Sequence, residues 1–129
     1  MSEDFIRFVD LYKSFGEKQV LCGLNLNVGR GETVVVLGGS GSGKSVLLRH
    51  TIGLHRPDEG QVWVDDQEIT DFRERDLIET RKKVGMLFQA GALFDSMTVE
   101  ENVSFPLREH TDWDDEKIAA RVRQVLGLV

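Results

Sequence analysis

Leu24, Leu26 and Val28 alternate with Asn25 and Asn27. Successive strand residues point to opposite faces, so residues 19–28 read as a strand with its leucines and valine toward a core. Residues 5–12 alternate in part and read as a second strand, and Gly29-Arg30-Gly31-Glu32 reads as a turn. Residues 33–37 are nearly all apolar, the composition expected of a short strand covered on both faces. A helix is predicted to begin at Lys44 and to end near Gly53, before the turn Pro57-Asp58-Glu59-Gly60. Residues 61–65 and 68–70 flank Asp66-Gln67 and predict a β-hairpin. Residues 75–83 have helical character, and residues 84–88 form another apolar strand. Thr98-Val99-Glu100-Glu101 is a capping box that starts a short helix, and Pro106 is expected to stop it. Asp112 or Asp114 caps a last helix with Ile118, Val122, Val125 and Leu126 on one face. There is no internal repeat and no low-complexity tail.

Composition narrows the class. With 129 residues the chain is at most one domain with a modest core. Its net charge is −6, from 16 basic and 22 acidic residues, which gives no support for a nucleic-acid footprint. Cys22 is the sole cysteine, so there is no internal disulfide, which suits a reducing compartment. The opening Met-Ser-Glu-Asp-Phe lacks the apolar core of a signal peptide, and no apolar run approaches the ~20 residues needed to cross a bilayer. These features predict a soluble cytoplasmic chain that meets membranes only through a partner.

The chemistry sits between the apolar run 33–37 and the helix that follows. There, Leu-Gly-Gly-Ser-Gly-Ser-Gly-Lys-Ser-Val-Leu-Leu runs from Leu37 to Leu48. So much glycine and serine usually marks a flexible linker, but apolar sequence hems this stretch in on both sides. Gly38, Gly43, Lys44 and Ser45 fit G-x-x-x-x-G-K-[ST], the phosphate-binding P-loop. Glycines let the backbone approach a ligand closely, and their N–H groups converge on phosphate oxygens at a helix N-terminus. Lys44 would reach the β- and γ-phosphates, and the Ser45 hydroxyl would ligate Mg²⁺. The architecture that follows is an α/β P-loop NTPase core with an antiparallel β layer on its N-terminal side.

P-loops serve many activities, so the fold alone does not name one. Four stretches narrow the choice. Residues 19–32, just before the P-loop strand, resemble the approach to the P-loop in the ATP-binding domains of ABC transporters. Lys13-Ser14-Phe15-Gly16 resembles their adenine-stacking loop, residues 57–65 their β-subdomain hairpin, and Val84-Gly-Met-Leu-Phe-Gln89 the strand that leads into their Q-loop. The resemblance covers essentially the whole chain. Residues 85–110, GMLFQAGALFDSMTVEENVSFPLREH, are closely similar to the ATPase subunit of bacterial Mla/MCE-type phospholipid transporters.

This resemblance implies roles. Phe15 would stack on adenine with Val20 beside it. Gly38, Gly39, Ser40, Gly41, Ser42, Gly43, Lys44, Ser45 and Val46 would hold ATP. Gln89 would reach Mg²⁺ and the attacking water, which makes Lys44 and Gln89 the catalytic pair and Ser45 and Gln89 the metal ligands. The family often has Tyr where this chain has Phe15, and Phe keeps the stacking face. Residues 1–94 would be β subdomain and P-loop core, and residues 95–129 the start of the helical subdomain. The signature motif, Walker B strand and catalytic glutamate of the family would lie beyond Val129. The 129 residues alone would therefore supply the phosphate cradle, the adenine stack and part of the Mg²⁺ shell without efficient turnover of ATP. The implied partners are a second ATP-binding subunit in a homodimer and a membrane permease docked near Leu93–Pro106, where Leu93, Phe94 and Phe105 read equally well as core. The protein would then sit peripherally on the cytoplasmic face of the inner membrane.

Plainer readings stand beside these. Val62-Trp63-Val64-Asp65-Asp66 imitates a Walker B strand, yet it follows Lys44 by only about 20 residues and belongs to the predicted hairpin. Tyr12 reads as strand packing. His50, His55 and His110 lack metal-ligand spacing and read as helix or loop surface. A small P-loop kinase would need a clustered arginine lid, and Arg73, Arg75, Arg81 and Arg108 are scattered. A GTPase would need N-K-x-D and D-x-x-G, and neither occurs. An ABC ATPase for another substrate, or a catalytically silent fragment that self-associates through an open sheet edge, remain alternatives.

Overall fold

The computed structural model describes residues 3–129. The chain forms two compact units, Met1–Gly85 and Met86–Val129. In the first, β1 (Asp4–Phe15), β2 (Lys18–Gly29), β3 (Glu59–Val64) and β4 (Gln67–Glu68) make one antiparallel sheet in the order β2-β1-β3-β4. Two short helices, α1 (Lys44–His50) and α2 (Leu77–Lys83), belong to the same unit. The second unit contains α3 (Val99–His110) and α4 (Asp115–Leu126).

The alternation predicted for β2 is realised. Leu24, Leu26 and Val28 are half-buried, while Asn25 and Asn27 are exposed. In β1 the alternation slips once, because Asp10 has φ +46° and the register shifts between Phe8 and Leu11. This bulge turns both Phe8 and Leu11 into the core. Asn25 clamps it: its Oδ1 accepts from the Asp10 N–H at 2.9 Å, and its Nδ2 donates to Asp10 Oδ1 at 2.8 Å. Opposite lies Gly60 at φ +94°, where any Cβ would land on the Asp10 carbonyl oxygen. Only glycine fits there.

Phe8, Leu11, Leu21, Leu47, Val62, Val64, Ile69 and Leu77 form the core of this unit. Each buried side chain of this kind contributes about 1.5–3 kcal/mol. The hairpin turns one residue earlier than predicted, at Asp65-Asp66, whose φ values are +48° and +63°. Short aspartate side chains tolerate the left-handed region that a two-residue hairpin demands. Asp65 accepts from Arg30 Nη2 at 2.6 Å and from Lys83 Nζ, so this acidic tip is an ion-paired turn. The Lys83 hydrogen bond, then that of Arg30, holds its carboxyl below the usual carboxylate range. Among the described residues, no group of three His, Cys, Asp or Glu side chains could hold a metal ion.

Three expectations are corrected. Residues 33–37 and 84–88 join no strand ladder among the described residues. Val35 is 73% exposed, and Leu37 and Leu87 are also exposed. An apolar run encodes burial but not the identity of a hydrogen-bonding neighbour, and the four-stranded sheet offers these runs none. Pro106 does not stop α3, which continues to His110. Proline removes one N–H from the helix interior, a cost of one hydrogen bond that the rest of α3 tolerates. In the capping box upstream the Glu101 N–H donates to Thr98 Oγ1 and the Thr98 N–H to Glu101 Oε2. Asn102 ties the preceding loop to the same end, accepting from the Phe94 N–H and donating to the Thr98 carbonyl.

In α4, Asp114 is the cap, accepting from the Lys117 N–H at 2.8 Å. Ile118 and Val122 are buried, and Val125 and Leu126 progressively less so. No helix of the described residues is long and apolar enough to cross a membrane.

Candidate nucleotide-binding site

Gly43 ends the glycine-rich loop at φ +102°, and the chain enters α1 at Lys44. A Cβ on Gly43 would meet Val20 Cγ1 at 2.7 Å, so the loop passes tightly over β2. Leu47, one turn into α1, anchors the helix in the core. Lys44 folds back over its own loop. Its Nζ donates to the carbonyls of Gly38 and Gly39 at 2.6 and 2.7 Å and lies 3.4 Å from Ser42 Oγ. The ammonium is thereby held at the mouth of the loop by acceptors that a more strongly charged phosphate oxygen can displace.

A cleft of about 270 Å³ opens beside the loop, lined by Phe15, Lys18, Val20 and Gly41, Ser42, Gly43, Lys44, Ser45 and Val46. One wall is thus aromatic and apolar. The rest is loop backbone, the hydroxyls of Ser42 and Ser45, and the lysines Lys18 and Lys44. Of the residues assigned to nucleotide from the sequence, Phe15, Val20 and positions 41–46 come together here. Gly38, Gly39 and Ser40 stand outside the lining, though the first two touch Lys44 through their carbonyls. Gln89 belongs to the second unit.

Phe15 is 45% exposed at the end of β1, an uncommon position for an aromatic that merely fills a core. Its surroundings hold it in place. Asp58 grips β1 just before it, accepting from Lys13 Nζ at 3.0 Å and from the Ser14 N–H at 2.6 Å, while its own N–H donates to the Tyr12 carbonyl at 2.9 Å. The Lys13 hydrogen bond keeps the Asp58 carboxyl below the ordinary range. Lys13 Nζ also lies 5.5 Å from the Phe15 ring centroid, and His55 meets that ring edge-on at 5.4 Å. Behind His55 is His50, ring to ring at 5.7 Å.

His50 corrects the surface reading: it is 1% exposed. Its Nδ1 lies 2.7 Å from the Val46 carbonyl, which fixes the proton on that nitrogen, and Nε2 is buried without a partner among the described residues. Burial pushes its pKa down. His55 is also lowered, chiefly by desolvation and then by Arg49. Lys18 and the two histidines carried no motif in the sequence, and Asp58 lay in the hairpin stretch 57–65 with no role of its own. Their position in the chain, within three residues of Phe15, at the end of α1 or in the turn after it, was the only signal.

An antiparallel sheet, a glycine-rich loop running into a helix and an aromatic-walled cleft at that loop define a P-loop nucleotide-binding protein. The chain belongs to the ABC transporter family, whose model matches residues 21–128. It is 41% identical over 128 residues to the methionine import ATP-binding protein MetN of Mesorhizobium japonicum, covering 99% of this chain and 35% of that one. It is 44% identical over 119 residues to the probable ribonucleotide transport ATP-binding protein mkl of Mycobacterium leprae, covering 92% and 34%. With the chloroplastic protein TRIGALACTOSYLDIACYLGLYCEROL 3 of Arabidopsis thaliana it shares 39% over 137 residues, covering 99% and 37%. Among solved structures, the dimeric ATP-binding cassette MJ0796 bound to ADP and phosphate matches with a TM-score of 0.87 at 32% identity, covering 95% of this chain and 56% of the cassette. The chain thus spans about a third of the length of these curated relatives.

Proposed function

We propose that this chain is the nucleotide-binding part of an ABC transporter ATP-binding subunit that couples ATP binding and hydrolysis to phospholipid movement between membranes. The observation that carries the nucleotide half is the single cleft joining Phe15 and Val20 to the loop residues 41–46. Its apolar wall suits a purine stacked on Phe15, and its loop wall suits phosphate. Lys44 exchanges its two loop carbonyls for β- and γ-phosphate oxygens. The exposed Ser45 hydroxyl, on the first turn of α1, is the hard oxygen donor that Mg²⁺ accepts when it arrives on a polyphosphate. Bound there, Mg²⁺ would neutralise charge on the phosphates. Gln89 supplies the amide that orients water and senses nucleotide.

The cargo assignment rests on residues 85–110 and their similarity to the Mla/MCE-type ATPase. A relative named for a galactolipid supports it. The rival cargo is a small polar solute, favoured by the 41% identity to a methionine importer. In either case the subunit pairs with a second copy around ATP and docks its permease between Leu93 and Pro106, on the cytoplasmic face of the membrane.

The test is reconstitution of the whole transporter with the Gln89→Ala variant. ATP binding through the P-loop is expected to persist, while hydrolysis and transfer of labelled phospholipid between vesicles fall at least tenfold. Normal lipid transfer by the variant would overturn the coupling role of Gln89. Methionine uptake without lipid transfer by the unaltered protein would overturn the cargo.

A further inference from the structure

We propose that Lys18 is a second phosphate-binding lysine, placed at the loop from the opposite strand; this rests on the nucleotide reading above. Lys18 begins β2, directly after the Gly16 turn that follows Phe15. It lines the same cleft as Phe15 and residues 41–46. Its Nζ lies 3.8 Å from where a Cβ on Gly41 would stand, so the ammonium faces the middle of the glycine-rich loop.

The two lysines of the cleft differ in their engagement. Lys44 Nζ is held by the Gly38 and Gly39 carbonyls. Lys18, among the described residues, has no carboxylate or carbonyl partner. In a chain of net charge −6, an unneutralised ammonium beside a phosphate loop is a local reversal of sign. It attracts a polyphosphate anion before Lys44 has left its carbonyls, and it then hydrogen-bonds a phosphate oxygen next to Gly41. Because Lys18 and Phe15 share one β-turn, the contact also links the position of the phosphate to that of the stacked base.

The experiment is calorimetric titration of the 129-residue chain with Mg-ATP and with Mg-tripolyphosphate, which lacks a base. The variants are Lys18→Met, which keeps the apolar stem, Lys18→Arg, and Lys44→Ala. Lys18→Met is expected to weaken both ligands about tenfold, by loss of a charge-assisted hydrogen bond, and to flatten the salt dependence of binding. Lys18→Arg is expected to stay within about twofold of the parent, because a guanidinium also donates to phosphate. Lys18→Met binding both ligands like the parent, while Lys44→Ala is impaired, would make Lys18 a solvated surface cation and overturn the proposal. Loss of ATP affinity alone, with tripolyphosphate unchanged, would place Lys18 on the base and equally overturn it. Should Lys44→Ala bind both ligands normally, the nucleotide reading itself would fall. Thermal unfolding of each variant separates loss of contact from loss of fold.

Discussion

Phe15 shows how a single side chain acquires its role from its neighbours. An exposed aromatic alone would be unremarkable, but Asp58, Lys13 and His55 hold this one at the rim of the cleft. Phe15→Ala should lower ATP affinity by about 1–2 kcal/mol, the scale of one base stack, and Phe15→Tyr should be nearly neutral in the same titration. His50 carries a pH dependence. Its folded pKa lies below the ordinary 6.5, so the unfolded chain takes up its proton first. The stability it contributes is complete above pH 6.5 and declines as pH falls below that value. Denaturation midpoints measured from pH 7.5 to 5.5 should fall, and His50→Gln should flatten that slope. Lys13, Arg49 and His55 face this region with positive or titratable groups, and Asp58 with a negative one.

At the scale of elements, local signals near helix starts were the most legible. The Thr98–Glu101 box is present as the spacing implied, and of the two candidates Asp112 and Asp114 it is Asp114 that caps α4; each cap is satisfied within four residues. Thr98→Ala should cost α3 about 1 kcal/mol and reduce helical circular dichroism. Acid should act at the same point. The Thr98 N–H and hydroxyl hold the Glu101 carboxyl below 4.5, so the carboxylate half of the box is intact above that value and is lost as pH falls through the lowered one, while the Glu101 N–H stays bonded to Thr98 Oγ1. The extent of α3 was not legible, since a proline rule describes a cost and not a terminus. The one-residue shift of the β3–β4 turn has a similar origin: Asp65-Asp66 and Asp66-Gln67 are both acceptable turn pairs. The choice fell to the pairing of Trp63 with Glu68 and Val64 with Gln67.

For the whole molecule, the runs 33–37 and 84–88 are the main unpaired feature. Val35, Leu37 and Leu87 are exposed apolar side chains on backbone that joins no sheet among the described residues. Surface of this kind favours association with any extended strand that can pair with it. The 129-residue chain should therefore show concentration-dependent association in sedimentation and bind an apolar dye. Val35→Lys with Leu37→Lys should reduce both without altering the β1–β4 sheet. A monomer at all concentrations would show that these runs are covered in solution.

The glycine spacing, Lys44 and Ser45 were readable in the sequence because a phosphate cradle depends on local backbone freedom and one helix N-terminus. The alternation of β2 and the helix caps were readable for the same reason: neighbours in sequence supply the partners. Tertiary structure alone decided what depends on distant neighbours. The Asp10 bulge needs Asn25 and Gly60, the burial of His50 needs the packing around α1, and Lys18 reaches Gly41 only because β2 passes beside the loop. Periodicity records which face of an element is apolar. It carries no information about which other element will cover that face, because the contact is settled by chain segments tens of residues away.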